Sequence, residues 1–351
     1  MALLARLPSE FDQRYVPNDV LADWRTLEPL FDELGTRPAT TTGDLERTIL
    51  DLSELLAAVD EEGSVRYIRM TCDTTDHDHE KAHLHFISEI RPRVKEWVQR
   101  LRTRFVESPA WAKLDSSRYA VLKRKIENEV ALFREENLSL EVEDRKLGQR
   151  YQKLAGAMTV EFDGKEQTLQ QMARYLEGPD RAVRSQAWEK TAERRLRDQN
   201  EMDTIFAELV DLRVKRSGNA GFTSFVDYVF RERERFDYTP GHCAQFHQGV
   251  ERHIVPLLRE CQKRRAQAMG LTRPRPWDLL ADPEGRPPLR PFTASTELVA
   301  GCMEVFRKVS PELGAQFQRM ADLGLLDLDS RKGKAPGGSP PWLGGGSRSS
   351  S

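Results

Sequence analysis

Residues 45–59 read LERTILDLSELLAAV. Leu45, Ile49, Leu52, Leu55, Leu56 and Val59 recur at three- and four-residue intervals, which places them on one face of an α-helix. Asp44 stands where an N-cap is expected, and Gly63 is read as the stop. The same periodicity continues on both sides of this stretch. From Asp76 to Glu107 the stripe is Phe86, Ile87, Ile90, Val94, Trp97, Val98, Leu101 and Phe105, with Pro92 expected to kink or split the helix. A further helix begins near Ser117 and carries Leu122, Ile126, Val130 and Phe133.

One β signal interrupts the helices. Met158 to Phe162 alternates, Asp163-Gly164 supplies a tight turn, and the chain returns from Lys165 to Leu169, so a hairpin is expected at 158–169. Helices resume from Leu169 and again from Asp180 to about Lys215, ending at Gly218-Asn219-Ala220-Gly221. A Pro-rich connection runs from Arg273 through Pro291. The expected fold class is mainly α with one small hairpin.

Charged residues are 31% and hydrophobic residues 38% of the 351, a balance suited to a helical protein with a core. Lys and Arg number 54 against 56 Asp and Glu, a net charge of −2, so nothing marks a nucleic-acid or anionic-membrane partner. No apolar run approaches the roughly 20 residues a membrane span needs, and the first residues lack the form of a secretory signal. Cys72, Cys243, Cys261 and Cys302 are scattered without CxxC spacing and read as reduced thiols of a cytoplasmic protein.

His79-Glu80-Lys81-Ala82-His83 matches HExxH on a helical stretch. In zinc peptidases that spacing puts two imidazoles on one face, and the Glu activates metal-bound water. Here, however, the stripe of His79 and His83 is shared with Ile87, Ile90, Val94 and Leu101, the face the helix needs for packing. Four of the seven histidines fall in this short stretch, where the pattern arises easily by chance. His79, Glu80 and His83 are therefore expected to be a decoy and not a metal site.

Five stretches carry a resemblance. Val16-Pro17 with Trp24 to Leu34 (WRTLEPLFDEL), Asp180-Arg181-Ala182-Val183-Arg184 with Ala187-Trp188, Asn219 to Phe225 with Asp227-Tyr228, Arg275-Pro276-Trp277-Asp278-Leu279 with Pro291-Phe292, and Asp327 to Gly338 (DLDSRKGKAPGG) appear in order. Together they resemble the oligoendopeptidase F family, zinc peptidases related to thimet oligopeptidase. Read alone, Trp188, Trp277, Phe222 and Phe225 are packing residues and Gly221 permits a helix-ending turn. Arg331 and Lys334 alone fit a solvated pair as well as they fit a substrate cleft.

The resemblance implies a helical N-terminal lobe over residues 1–200 and the beginning of a helical zincin-type catalytic domain over 201–338. It implies hydrolysis of internal bonds in short peptides by a zinc-bound water, with Arg331, Lys334, Gly337 and Gly338 nearest to substrate. In the family the zinc helix follows the D-L-x-S-R-x-G-K stretch, and no HExxH besides 79–83 occurs in this sequence. The chain is thus expected to be a truncated form, inactive alone and holding no zinc of its own, with apolar surface left uncovered on the helices from Asp203 to Gly324. Residues 339–351, Gly- and Ser-rich, are expected to be disordered. A catalytically dead helical binding or regulatory protein is the alternative, and a small zinc hydrolase built on residues 79–83 a second.

Overall fold

A computed structural model describes residues 15–17 and 23–336. The helices are α1 (Trp24–Thr36), α2 (Thr42–Cys72), α3 (His77–His85), α4 (Arg91–Glu107), α5 (Ser116–Leu132) and α6 (Glu136–Gly156). The hairpin β1 (Thr159–Phe162) and β2 (Lys165–Thr168) follows, then α7 (Leu169–Met172), α8 (Arg181–Arg197), α9 (Gln199–Asn219), α10 (Phe225–Glu232), α11 (Pro240–Ala268), α12 (Ser295–Val309) and α13 (Pro311–Asp322). The mainly α class with one small antiparallel sheet is as expected. Residues 337–351, and with them Gly337, Gly338 and the Gly/Ser-rich tail, lie outside the described residues.

The chain folds as two compact units interleaved in sequence. One combines residues up to Tyr151 with Ile205–Cys243, the other Gln152–Thr204 with Ala244–Pro336. The division by contacts crosses the chain after residues 151, 204 and 243. Pairing between segments far apart in sequence decides this, and no local composition shift marks it.

In the first unit α1, α2, α4 and α5 bury Phe31, Leu45, Leu55, Leu101, Phe105 and Ile126 in one core. Phe31 stacks between Trp24 and Trp97 at ring-centroid distances of 6.1 and 6.2 Å. Two local expectations are corrected here. The N-cap of α2 is Thr41, whose Oγ1 accepts from the Asp44 amide. Gly63 does not end the helix, which runs on to Cys72. It is buried mid-helix against the Phe86 ring, so close that a Cβ there would lie 2.5 Å from Phe86 Cε1. Glycine serves close approach at this point and not a turn.

The split at Pro92 is present, and its form is a π-turn over Phe86–Ile90 with the Arg91 amide bonded back to Phe86 O. Pro92 has no N–H to offer the Ser88 carbonyl and crowds it, and a wider turn relieves both problems.

In the second unit Asp163 (φ 56°) and Gly164 (φ 70°) form the hairpin turn, both left-handed as a type I′ turn requires. Thr159 pairs with Thr168 and Phe162 with Lys165. The helix expected to run from Asp180 to Lys215 is broken at Asp198 (φ −102°, ψ 12°). Asp198 binds Arg194 through its carboxylate at 2.5 Å while its carbonyl accepts the Met202 amide of α9. It closes one helix and opens the next, a role that suits Asp better than a helix interior.

The end of α9, in the first unit, is as expected. Gly221 (φ 83°) turns the chain, and the Phe222 amide bonds back to Ser217 O at 3.0 Å.

Candidate functional site

Two of the resembling stretches meet in the second unit. Asp180 caps α8 by accepting from the Ala182 and Val183 amides, which fixes how Arg181 and Arg184 leave the first turn. Both guanidinium groups reach Asp278, in the short 3₁₀ turn Pro276–Asp278. Arg181 donates from Nε to Oδ1 and from Nη2 to Oδ2, each at 3.0 Å, and Arg184 Nη2 donates to Oδ1 at 3.2 Å. The Arg275 amide completes the set at 2.9 Å to Oδ2.

Arg184 also holds the turn itself, donating to Trp277 O at 2.9 Å and to the Gly178 and Pro179 carbonyls at 2.8 Å each. Asp278 is wholly buried. Burial pushes its carboxyl up, but Arg181, the Arg275 amide and Arg184 outweigh that and hold it below the usual carboxylate range. Beside this cluster the rings of Trp188 and Trp277 lie 5.5 Å apart, the packing role expected for both.

A second cluster forms around Asp327. Arg331 binds its carboxylate with two parallel bonds, Nη1 to Oδ1 at 2.7 Å and Nη2 to Oδ2 at 2.8 Å. Lys334 Nζ sits 3.2 Å from Oδ1 and donates to the Asp327 and Asp329 carbonyls at 2.7 and 3.0 Å. The structure thus brings Arg331 and Lys334 together, aimed at their own loop. Gly333 (φ 82°) lets the turn close, and its amide bonds to Gly156 O at 3.2 Å.

The loop is fastened to the hairpin and α7. Ser330 Oγ lies 2.8 Å from Thr168 Oγ1, and Lys332 Nζ 2.7 Å from Glu166 Oε1. Gln171 does two things at once. Its Oε1 accepts from the Thr168 amide in a capping box, and its Nε2 donates to Ser330 O at 2.9 Å. Sequence reasoning missed Gln171, Thr168 and Asp327. Thr168-x-x-Gln171 is a capping-box pattern and Asp327/Arg331 an i, i+4 pair, so both signals stood in the sequence.

The HExxH look-alike lies on α3 in the first unit. Gln149 Nε2 donates to Glu80 Oε1 at 2.7 Å, and His79 Nδ1 lies 3.2 Å from Asp76 Oδ2. His83 is buried against Tyr67, their rings 5.6 Å apart. Burial first, then the charges of Arg145, Arg66 and Arg91, lowers its pKa to about 4. A field that repels a proton from an imidazole repels a dication more strongly. A catalytic zinc needs three protein ligands around an open position. Among the described residues no three His, Cys, Asp or Glu side chains are grouped to hold a metal ion. The residues present do not fit zinc.

Residues 20–133 match the family model of the peptidase M3 N-terminal domain, and residues 174–338 that of peptidase family M3, together well over half of the chain. The chain belongs to peptidase family M3. The M3 peptidase model begins at residue 174, ahead of the expected lobe boundary, and so takes in both partners of the Arg184–Asp278 pair.

The fold is similar to a crystal structure described as an oligoendopeptidase F of Bacillus anthracis strain Ames, at 26% identity and a TM-score of 0.83. That match covers 93% of this chain and 59% of the other. A second structure described as an oligoendopeptidase F gives 28% identity and a TM-score of 0.84, over 94% of this chain and 57% of that one. PZ peptidase A, solved with an inhibitor, gives 27% and 0.84 over the same shares. This M3 chain therefore spans less than three-fifths of the length of each. None of the curated proteins matches it.

Proposed function

We propose that the chain supplies the peptide-holding framework of a zinc-dependent oligoendopeptidase acting on internal bonds of short peptides, and that these 351 residues alone hydrolyse nothing. The observation that carries the assignment is the junction at Asp278. Two blocks about ninety residues apart, each resembling oligoendopeptidase F, close on one buried carboxylate within the region matching the M3 peptidase model.

The inactivity of this chain alone rests on the chemistry around His83 and on the lack of any second HExxH in these residues. In this reading zinc is the cofactor of the whole enzyme, and residues 79–83 are no part of its site. The loop at 329–336 is the segment we place nearest to a bound peptide, on the strength of its resemblance. Arg331 and Lys334 set its shape from beneath, and Gly337 and Gly338 come next in sequence. The four cysteines are free thiols, which suits a reducing compartment, and we place the protein in the cytoplasm.

The test is a titration of the purified chain with a labelled, unstructured short peptide, followed by anisotropy for binding and by mass spectrometry for cleavage. Saturable binding that a chelator does not alter, with the peptide intact, is expected. Cleavage that a chelator and His83→Ala both abolish would assign chemistry to α3 and overturn the proposal of inactivity. An absence of binding would remove the peptide-holding role.

A further inference from the structure

Two side-chain pins join α6 to α3 and α4 within the first unit. Gln149 Nε2 donates to Glu80 Oε1 at 2.7 Å, and Lys95 of α4 pairs with Glu141. Glu80 precedes Lys95 in the chain while its partner Gln149 follows Glu141, so the two stretches run in opposite directions. Glu141, Arg145 and Gln149 are spaced by four and share one face of α6. Arg145 therefore stands midway between the pins, roughly 6 Å along the axis from each. Across the seam the chain passes from His83 on α3, through the π-turn, to Arg91 on α4.

The charges that meet in this seam are mostly positive and poorly answered. Among the described residues Arg145 makes no hydrogen bond and no ion pair. The carboxylates nearest to it are taken by other cations, Glu141 by Lys95 and Arg216, and Asp144 by Arg213 and Arg216. Arg91 has only a loose pair, 3.4 Å from Nη1 to Asp60 Oδ1. His83 is 8% exposed, and its Nδ1 has no hydrogen-bond partner. Arg145 is foremost among the charges that act on this ring, ahead of Arg66 and Arg91.

Arg145 keeps solvent-facing surface, yet enough protein surrounds its guanidinium that burial, and then Arg91, lowers its pKa. It sits in an open recess that a small solute can enter. Cations held near one another without acceptors repel, and an anion placed between them removes that cost. A guanidinium meets a carboxylate or a phosphate with two parallel bonds. The field that turns a metal dication away from His83 draws an anion to the same place.

We propose that Arg145 and Arg91, with the buried His83 ring beside them, form a binding site for one small oxyanion, a carboxylate or a phosphate group. Arg145 supplies the bidentate contact. Arg91, held loosely by Asp60, is available to share the ligand.

Inorganic phosphate and acetate are titrated separately into the purified chain, against sodium chloride of equal ionic strength, by isothermal titration calorimetry. Saturable one-to-one binding of at least one of them is expected. Preference for phosphate marks a phosphoryl ligand, and preference for acetate a carboxylate. Arg145→Gln should weaken binding at least about tenfold, while Arg252→Gln on α11, in the second unit, should leave it unchanged. The His83 ring, assigned by the loss of its nuclear magnetic resonance signal in His83→Gln, should take up its proton at higher pH in the bound chain, because the anion offsets the arginines. That measurement uses the parent chain and holds even where Arg145→Gln fails to fold.

Heats no larger than those of chloride would overturn the proposal. So would binding that Arg145→Gln leaves intact, or a His83 midpoint that the bound anion does not move. Equal weakening by Arg252→Gln would show diffuse attraction to positive charge and would remove the site as well.

Discussion

Arg184 Nη2 lies 3.2 Å from Asp278 Oδ1, and both side chains are buried although 94 positions separate them in sequence. A buried ion pair is retained only where every charge is answered, and here four donors answer one carboxylate. Asp278→Ala leaves the Arg184 guanidinium buried without its charge partner. The variant should lose about 3–5 kcal/mol, read as a lower urea midpoint. Arg184→Met should lose a similar amount, and the double variant much less than the sum. Additive losses would mean that the two groups act independently.

Gly63 gives a prediction whose sign is informative. In an exposed helix, Gly→Ala stabilises by about 1 kcal/mol. At Gly63 the new methyl would meet the Phe86 ring, itself fully buried and unable to retreat. Gly63→Ala should therefore destabilise by about 1–3 kcal/mol. The paired variant with Phe86→Leu should recover part of that loss. A stabilised single variant in thermal unfolding would contradict the close approach.

His83 makes stability depend on pH. Burial and three nearby arginines lower its pKa from 6.5 to about 4, so the folded state favours the neutral ring. Its contribution is complete above the unfolded value and is lost as pH falls from there toward 4, on the order of 3 kcal/mol in all. His83→Gln should flatten the urea midpoint between pH 7 and pH 4 relative to the parent chain. Equal pH slopes in both proteins would show that the ring is free to protonate.

The Gln171 side chain joins two regions, so removing it should act locally. Gln171→Ala loses the reciprocal cap on Thr168 and the bond to Ser330 O. A loss of about 1 kcal/mol in local stability is expected. It should be visible as faster amide exchange at Gly333, with exchange in the core around Phe31 unchanged. Uniform acceleration throughout the chain would mean that the loop and the core unfold together.

Much of this was legible in the sequence because it is local. Asp163-Gly164 turns the hairpin, and Gly221 ends α9. Gly63 was misread because a glycine signals only a missing Cβ. Sequence does not say whether the space serves a positive φ or a neighbouring ring. The resemblance gave Arg331 and Lys334 a place near substrate, but it did not announce that Asp327, four residues ahead of Arg331, binds both. The junction at Asp278 was present as two separate motifs. Nothing in either one announced the other, since a contact across 94 positions leaves no periodic trace.

The interleaving of the two units has a consequence in time. A ribosome adds roughly 5–20 residues per second, so the codon for Asp278 is read roughly 5–20 s after that for Arg184. During that interval α8 can form behind its Asp180 cap, but Arg184 has no carboxylate to meet and Trp188 no Trp277 to cover it. The unit holding residues 152–204 cannot close until 244–336 has emerged, with the 205–243 insertion of the other unit synthesised in between. Nascent chains of this protein therefore carry an unfinished, cationic helix for many seconds, so the second unit can close only late in synthesis.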